Sequence, residues 1–200
     1  MALPVLVIAC GAIARELAQL RDLNGWDHVQ LQCLDAKLHN TPDRIPGLVE
    51  AKIKLAQGKY AKIFVAYGDC GTGGKLDEVL EQYGVARLPA AHCYEFLTGS
   101  EEFSRLSEAE PTSYYLTDFL LRHFQRLVIE GLGLDRYPEL LPQYFGNYRR
   151  LLYLAQTDNP EKQDQARAYA SYLGLEYHFI HRGLGPLERA LKPAVARPES

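Results

Sequence analysis

The hydrophobic positions of the chain alternate between short apolar runs and longer stretches with apolar residues at helical spacing. Residues 5–9 are apolar throughout, the signature of a strand buried on both faces. Residues 12–23 then place Ile13, Leu17 and Leu20 one helical turn apart, and Asn24-Gly25 ends the segment. A second strand over 28–34 alternates Val29, Leu31 and Cys33 with polar residues, which puts Cys33 in the core. The helix after it starts near Pro46 and reaches Ala56. A third strand over 62–67 runs into a glycine-rich loop and a helix over 75–83, closed by Gly84. A short fourth strand near 85–88 leads to His92-Cys93-Tyr94-Glu95. From 95 to 149 the pattern reads helical. Thr112 or Ser113 is expected to cap a long helix through Glu130, with Leu116, Phe119, Leu120, His123, Leu127 and Val128 as its apolar stripe. A shorter helix follows Pro138. A fifth strand spans 151–155, Asn159-Pro160 starts a helix that Gly174 stops, a sixth strand spans 176–181, and a last helix opens near Pro186.

Strand and helix in repeated alternation mean parallel βαβ units. The expected fold is α/β: an open, mostly parallel, Rossmann-like sheet with helices on both faces and a helical insertion. The 200 residues are expected to form a single domain. Within it, 95–149 is the insertion, expected as a cap over the carboxyl edge of the sheet, and 193–200 is a frayed tail.

Composition narrows the function classes. A chain of this length buries enough apolar surface to need no staples. Net charge is −3, so no basic face is implied, and nucleic acid and anionic membrane are not expected partners. The apolar segment at 5–9 is too short to cross a bilayer and no basic run precedes it, so a cytoplasmic location is expected. Four cysteines without a CxxC do not make a disulfide scaffold or a zinc ribbon; they are core thiols, ligands or nucleophiles.

Parallel sheets bind ligands outside the carboxyl ends of their strands. This chain puts Cys10, Asp35, Cys70, His92, Cys93, Gln156, Thr157 and His181 at such ends. Cys10, Cys70 and Cys93, with His92 beside them, suit zinc with one open position, or an iron–sulfur cluster with one iron left for a small-molecule substrate. The plain alternative is that each is a small buried hydrophobe. The loop Gly68-Asp69-Cys70-Gly71-Thr72-Gly73-Gly74 is the most informative segment, because four glycines permit left-handed backbone and close approach. Its Gly71, Thr72, Gly73 and Gly74 are expected to bind a cofactor or anion through backbone N–H groups, and Cys70 to have a lowered pKa there. It is not a Walker A loop: Lys75 misses the spacing by one residue and Leu76 replaces the Ser or Thr. Asp69 and Glu95 are candidate proton carriers, although Glu95 could simply favour a helix N-terminus. His123 reads as core, or as a ligand or proton carrier reaching the sheet edge. His39 follows the second strand and is expected near the same edge. Asp118 and Arg122 have the spacing of a surface ion pair.

Five segments carry a family resemblance: Ala9-Cys10-Gly11-Ala12, Tyr67 through Gly74, His92-Cys93-Tyr94-Glu95, Leu116-Thr117-Asp118-Phe119 and Tyr153-Leu154-Ala155-Gln156-Thr157. Together they resemble an uncharacterised bacterial and archaeal family, domain-of-unknown-function family 1638. The resemblance covers residues 5–187, and the glycine–cysteine loop is its most specific part. Members are often encoded near corrinoid-dependent methyltransferases of methylamine-type one-carbon metabolism. The resemblance therefore implies a link to methyl-group metabolism and a corrinoid methyltransferase as partner. It carries no catalytic residues, and the chain has no corrinoid-binding DxHxxG segment. Three expectations follow: a metalloenzyme built on Cys10, Cys70 and Cys93; a metal-free thiolate enzyme with Cys70 as nucleophile; or a non-catalytic accessory protein of a methyltransferase system.

Overall fold

The computed structural model describes residues 3–196. Along the chain come β1 (Val5–Cys10), a 3-10 turn over Gly11–Ile13, α1 (Ala14–Leu23), β2 (Val29–Leu34), α2 (Ile45–Ala56), β3 (Lys62–Ala66), α3 (Lys75–Tyr83), β4 (Ala86–Arg87) and α4 (Cys93–Thr98). They are followed by α5 (Ser100–Ala109), β5 (Ser113–Thr117), α6 (Asp118–Arg122), a π-helical turn over Gln125–Ile129, α7 (Leu141–Phe145), β6 (Arg150–Ala155), α8 (Pro160–Leu173), β7 (Glu176–His181) and α9 (Gly185–Val195).

The chain divides into two compact units, one running to Phe96 and resuming at Pro186, the other Leu97–Gly185. The first holds a four-stranded parallel sheet of order β2-β1-β3-β4. β1 is central and buried along its whole length, which is why its sequence is an unbroken apolar run. α9 returns to this unit, and the His28 ring nitrogen lies 2.9 Å from the Val195 carbonyl. The second unit holds a three-stranded parallel sheet of order β5-β6-β7, packed around Leu116, Phe124, Leu151, Tyr153, Ala166 and Leu173. α8 has both of its expected ends: the Asn159 side chain accepts the Lys162 N–H at 2.9 Å, and Gly174 closes the helix at φ 71°.

The parallel α/β class holds, with its strands shared between two sheets rather than laid in one. The stretch 95–149 contains a strand, so it is not helical throughout. Ser113 begins β5 instead of capping a long helix, and the cap lies at Thr117, whose hydroxyl accepts the Leu120 N–H at 3.3 Å. The segment Ser-Tyr-Tyr-Leu-Thr is rich in strand formers and short enough to be ambiguous locally; pairing with Leu151–Leu154 across the sheet decides it. Cys33 is exposed rather than core, because β2 is an edge strand with a neighbour on one side only. Pro193 lies inside α9, which continues to a buried Val195, so the tail expected over 193–200 is helical in its first part. Residues 197–200 of that tail lie outside the described residues. Among the described residues no helix is long and apolar enough to cross a membrane.

Candidate functional site

β1, β3 and β4 are consecutive in the first sheet, and each is followed by one of the three cysteines singled out in the sequence. Cys10 is the last residue of β1. After β3 the chain stays beside the segment leaving β4: the Asp69 N–H donates to the Ala90 carbonyl at 2.9 Å and the Cys70 N–H to the Ala91 carbonyl at 2.8 Å. This zipper requires glycine at 68, where a Cβ would sit 3.1 Å from both the Ala90 oxygen and the His92 nitrogen. Gly11 does the same beside β2, where a Cβ would sit 2.8 Å from the Leu34 oxygen. Cys70 itself has φ 49°, the sole positive φ outside glycine among the described residues. That backbone is costly for an L-residue, so its presence at this loop marks stored strain.

All three thiols are held above their ordinary pKa, burial being the largest cause of each. Burial pushes the Cys10 thiol up, and Asp35 adds to this, against the Ala12 N–H 3.4 Å from its sulfur and the Tyr67 hydroxyl. Cys70, 5% exposed, is pushed up to about 11 by burial and then by Cys10, against the N–H groups of Cys93 and Gly68. Cys93 is partly exposed as a residue, yet its thiol is desolvated and raised well above its ordinary value; Cys70 and Cys10 raise it further, while its own N–H and that of Tyr94 oppose. Tyr67 is 2% exposed and burial and the Cys10 thiol keep it protonated, with Cys70 and Cys33 adding to the effect. Its hydroxyl lies toward the Cys10 sulfur, but no group meets full hydrogen-bond geometry with it. As the side chains stand, no three His, Cys, Asp or Glu groups among the described residues form a ready metal-ligand set.

His92 is exposed, its ring centroid 6.5 Å from that of Tyr94. Partial burial and the charge of His92 lower the pKa of His39, so these two imidazoles share the rim.

The glycine loop behaves differently from the expectation of a cofactor or anion cradle. The Asp69 carboxylate accepts the N–H of Gly71 at 3.2 Å, of Gly73 at 3.2 Å and of Gly74 at 2.9 Å, and the Thr72 hydroxyl at 2.8 Å. The loop already encloses an anion of its own, and the Gly74 N–H first among these donors holds the Asp69 carboxyl below its ordinary value. Cys70 likewise lacks the lowered pKa expected of it, because desolvation outweighs the two N–H groups facing it. Glu95 accepts the N–H of Ala91 at 2.8 Å and of His92 at 3.3 Å, closing the first turn of α4 as a capping box does. Both carboxylates proposed as proton carriers are thus committed to backbone donors.

The second sheet has a polar cluster at its own carboxyl edge. Asp118, 2% exposed, accepts the Tyr153 hydroxyl at 2.6 Å on Oδ1, and on Oδ2 the Lys162 ammonium at 2.7 Å and the Thr157 hydroxyl at 2.9 Å. Desolvation raises its carboxyl, but the hydrogen bonds of Lys162, Tyr153 and Thr157 outweigh that and leave it lowered. The sequence pairs Asp118 with Arg122 on the surface; the structure pairs it with Lys162 across the sheet. The available signal was position, since Asp118 and Thr157 both follow strands. His123 ends α6 with its ring centroid 4.8 Å from Phe119, and His181 ends β7; both belong to the second unit.

Residues 33–191 match the model of a family described as "Protein of unknown function (DUF1638)". No curated protein and no solved structure matches.

Proposed function

The chain belongs to the family DUF1638, and for this member we propose a metal-dependent enzyme in which Cys10, Cys70 and Cys93 together hold zinc or an iron–sulfur cluster. The reading rests on one observation: three thiols at or just after the ends of consecutive strands are held above their ordinary pKa, first by burial, with Cys10 acting on Cys70 and both acting on Cys93, beside the buried hydroxyl of Tyr67. Left to themselves the thiols stay neutral there, and a bound cation is what would stabilise them as thiolates. A soft metal held by Cys10, Cys70 and Cys93 would supply that charge and favour the thiolate form of each. The N–H groups of Ala12, Gly68, Cys93 and Tyr94 then serve the sulfurs as supporting donors.

Three protein thiolates leave one zinc position, or one iron of a cluster, for a small-molecule substrate. His92 is the alternate fourth ligand. The pinned Asp69 and Glu95 do not suit proton transfer, which leaves His39 and His92 as the candidate carriers at this edge. The metal-free thiolate reading fares worse: with a pKa of about 11, Cys70 is ionised in roughly one molecule in ten thousand at pH 7. Such a metal, when bound, would lower the pKa of a small thiol at its open position. That chemistry fits the methyl-group link implied by the family resemblance, with a corrinoid methyltransferase as the proposed partner.

Metal and acid-labile sulfide analysis of full-length protein purified without oxygen, with its absorption spectrum, tests this. Stoichiometric zinc, or iron with sulfide and the matching charge-transfer bands, is expected. Folded protein that carries no metal and takes up neither zinc nor a reconstituted cluster contradicts it.

A further inference from the structure

We propose that Arg87 is the positioning residue of the thiol edge: tied to Asp77, its guanidinium fixes the backbone leaving β4, so that Cys93 stands beside the Cys70 loop. This role rests on the reading of Cys10, Cys70 and Cys93 as one centre, and it accounts for how Cys93 is brought there. β4 is two residues long and pairs with β3 alone, so its ladder stops well before Cys93. The Leu88 N–H still donates to the Val65 carbonyl at 3.1 Å, but Pro89 follows and has no N–H to give. Beyond Leu88, strand pairing no longer holds the chain. Yet this is where the Ala90 and Ala91 carbonyls accept the N–H groups of Asp69 and Cys70, at 2.9 and 2.8 Å. The segment needs a hold of its own.

Arg87 supplies it. Its side chain is only 15% exposed. Nε and Nη2 donate to the two Asp77 oxygens at 2.5 and 2.9 Å, and Nη1 donates to the Leu88 carbonyl at 2.8 Å and to the Ala90 carbonyl at 3.1 Å. Four of the five guanidinium donors are thus engaged. Asp77 stands in the first turn of α3, the helix that opens directly after the glycine loop. The Ala90 oxygen is the joint, because it accepts both the guanidinium and the Asp69 N–H. One side chain therefore ties α3, the segment 88–91 and the Cys70 loop together, which its planar fork allows and a point charge does not. An ion pair made for stability alone requires Asp77 and nothing more. The two carbonyl contacts fall on the stretch that leads into Cys93.

Labelling rates of the four cysteines in full-length, metal-free protein test this, with cobalt(II) affinity as the second readout. In Arg87→Gln, Cys70 and Cys93 are expected to label about tenfold faster, while Cys10 and Cys33 keep their wild-type rates. Asp77→Ala, which removes a carboxylate 46% exposed, is expected to give the same pattern more weakly. Cobalt affinity is expected to fall about tenfold in Arg87→Gln. Wild-type rates at Cys70 and Cys93 in Arg87→Gln overturn the inference, as does an equal rise at Cys10, which marks a general loosening of the unit. Should Arg87→Gln fail to fold, the same two outcomes in Asp77→Ala overturn it. Wild-type protein that binds no cobalt contradicts the metal reading instead, and the labelling rates still decide the role of Arg87.

Discussion

At the carboxyl end of the four-stranded sheet, burial first and then neighbouring charge hold three thiols above their ordinary pKa; at the same end of the three-stranded sheet, a buried carboxylate is held below its ordinary value. Desolvation acts in the same direction on both, since it penalises any anion. The difference lies in what the fold supplies against it. Asp118 receives an ammonium and two hydroxyls. Cys70 and Cys93 each receive two backbone N–H groups, and Cys10 one N–H and a tyrosine hydroxyl, which do not suffice. One edge holds a stabilised anion, and the other keeps its thiols neutral, the state a bound cation would change.

The largest effect expected comes from breaking the complete edge. Lys162→Met leaves Asp118 charged, buried and without its ion pair. A loss of about 3 kcal/mol is expected, read as faster hydrogen exchange of the β6 amides. Wild-type exchange rates in this variant would show that Lys162 does not hold the Asp118 charge. Next is Gly68→Ala, whose Cβ meets backbone rather than a yielding side chain. It is expected to cost about 2 kcal/mol, with the loss confined to the first unit and metal uptake reduced with it.

The pH dependence separates the edges by sign. The folded pKa of Asp118 is depressed, so its stabilisation is fully present above the unfolded value of about 3.9 and is lost as pH falls through the folded pKa. The stability difference between wild type and Asp118→Asn should shrink below about pH 4. The folded pKa of Cys70 is raised, so its stabilisation is fully present below the unfolded value, about 8.5, and is lost as pH rises toward about 11. Metal-free protein should therefore weaken in mild base, and zinc should remove that weakening. The smallest effect is kinetic: exposed Cys33 should react first with a thiol reagent at neutral pH, ahead of buried Cys10 and Cys70. Faster labelling at Cys70 would restore the metal-free nucleophile.

Local pattern made much of this fold legible. The unbroken apolar run of β1, the Gly84 and Gly174 stops, and the Asn159-Pro160 start are each fixed by neighbours in sequence. The placement of Cys10, Cys70 and Cys93 at or just after the ends of three neighbouring strands was legible too, because parallel strands end on one side. Features set by long-range pairing were not. β5 is a strand because β6 lies beside it, and Cys33 is exposed because β2 has one neighbour. The glycine loop promised donors for a ligand, but nothing in its spacing shows that Asp69 turns back to take them. The Asp118–Lys162 pair joins residues 44 apart and leaves no periodic trace.

The claim that three thiols make one centre is tested most directly by adding cobalt(II) to anaerobic, metal-free protein and following sulfur-to-cobalt charge transfer. Saturable binding with proton release is predicted, with intensity stepping down in Cys10→Ser, Cys70→Ser and Cys93→Ser alike and unchanged in Cys33→Ser. No charge-transfer band, or a band indifferent to those three substitutions, would contradict the account.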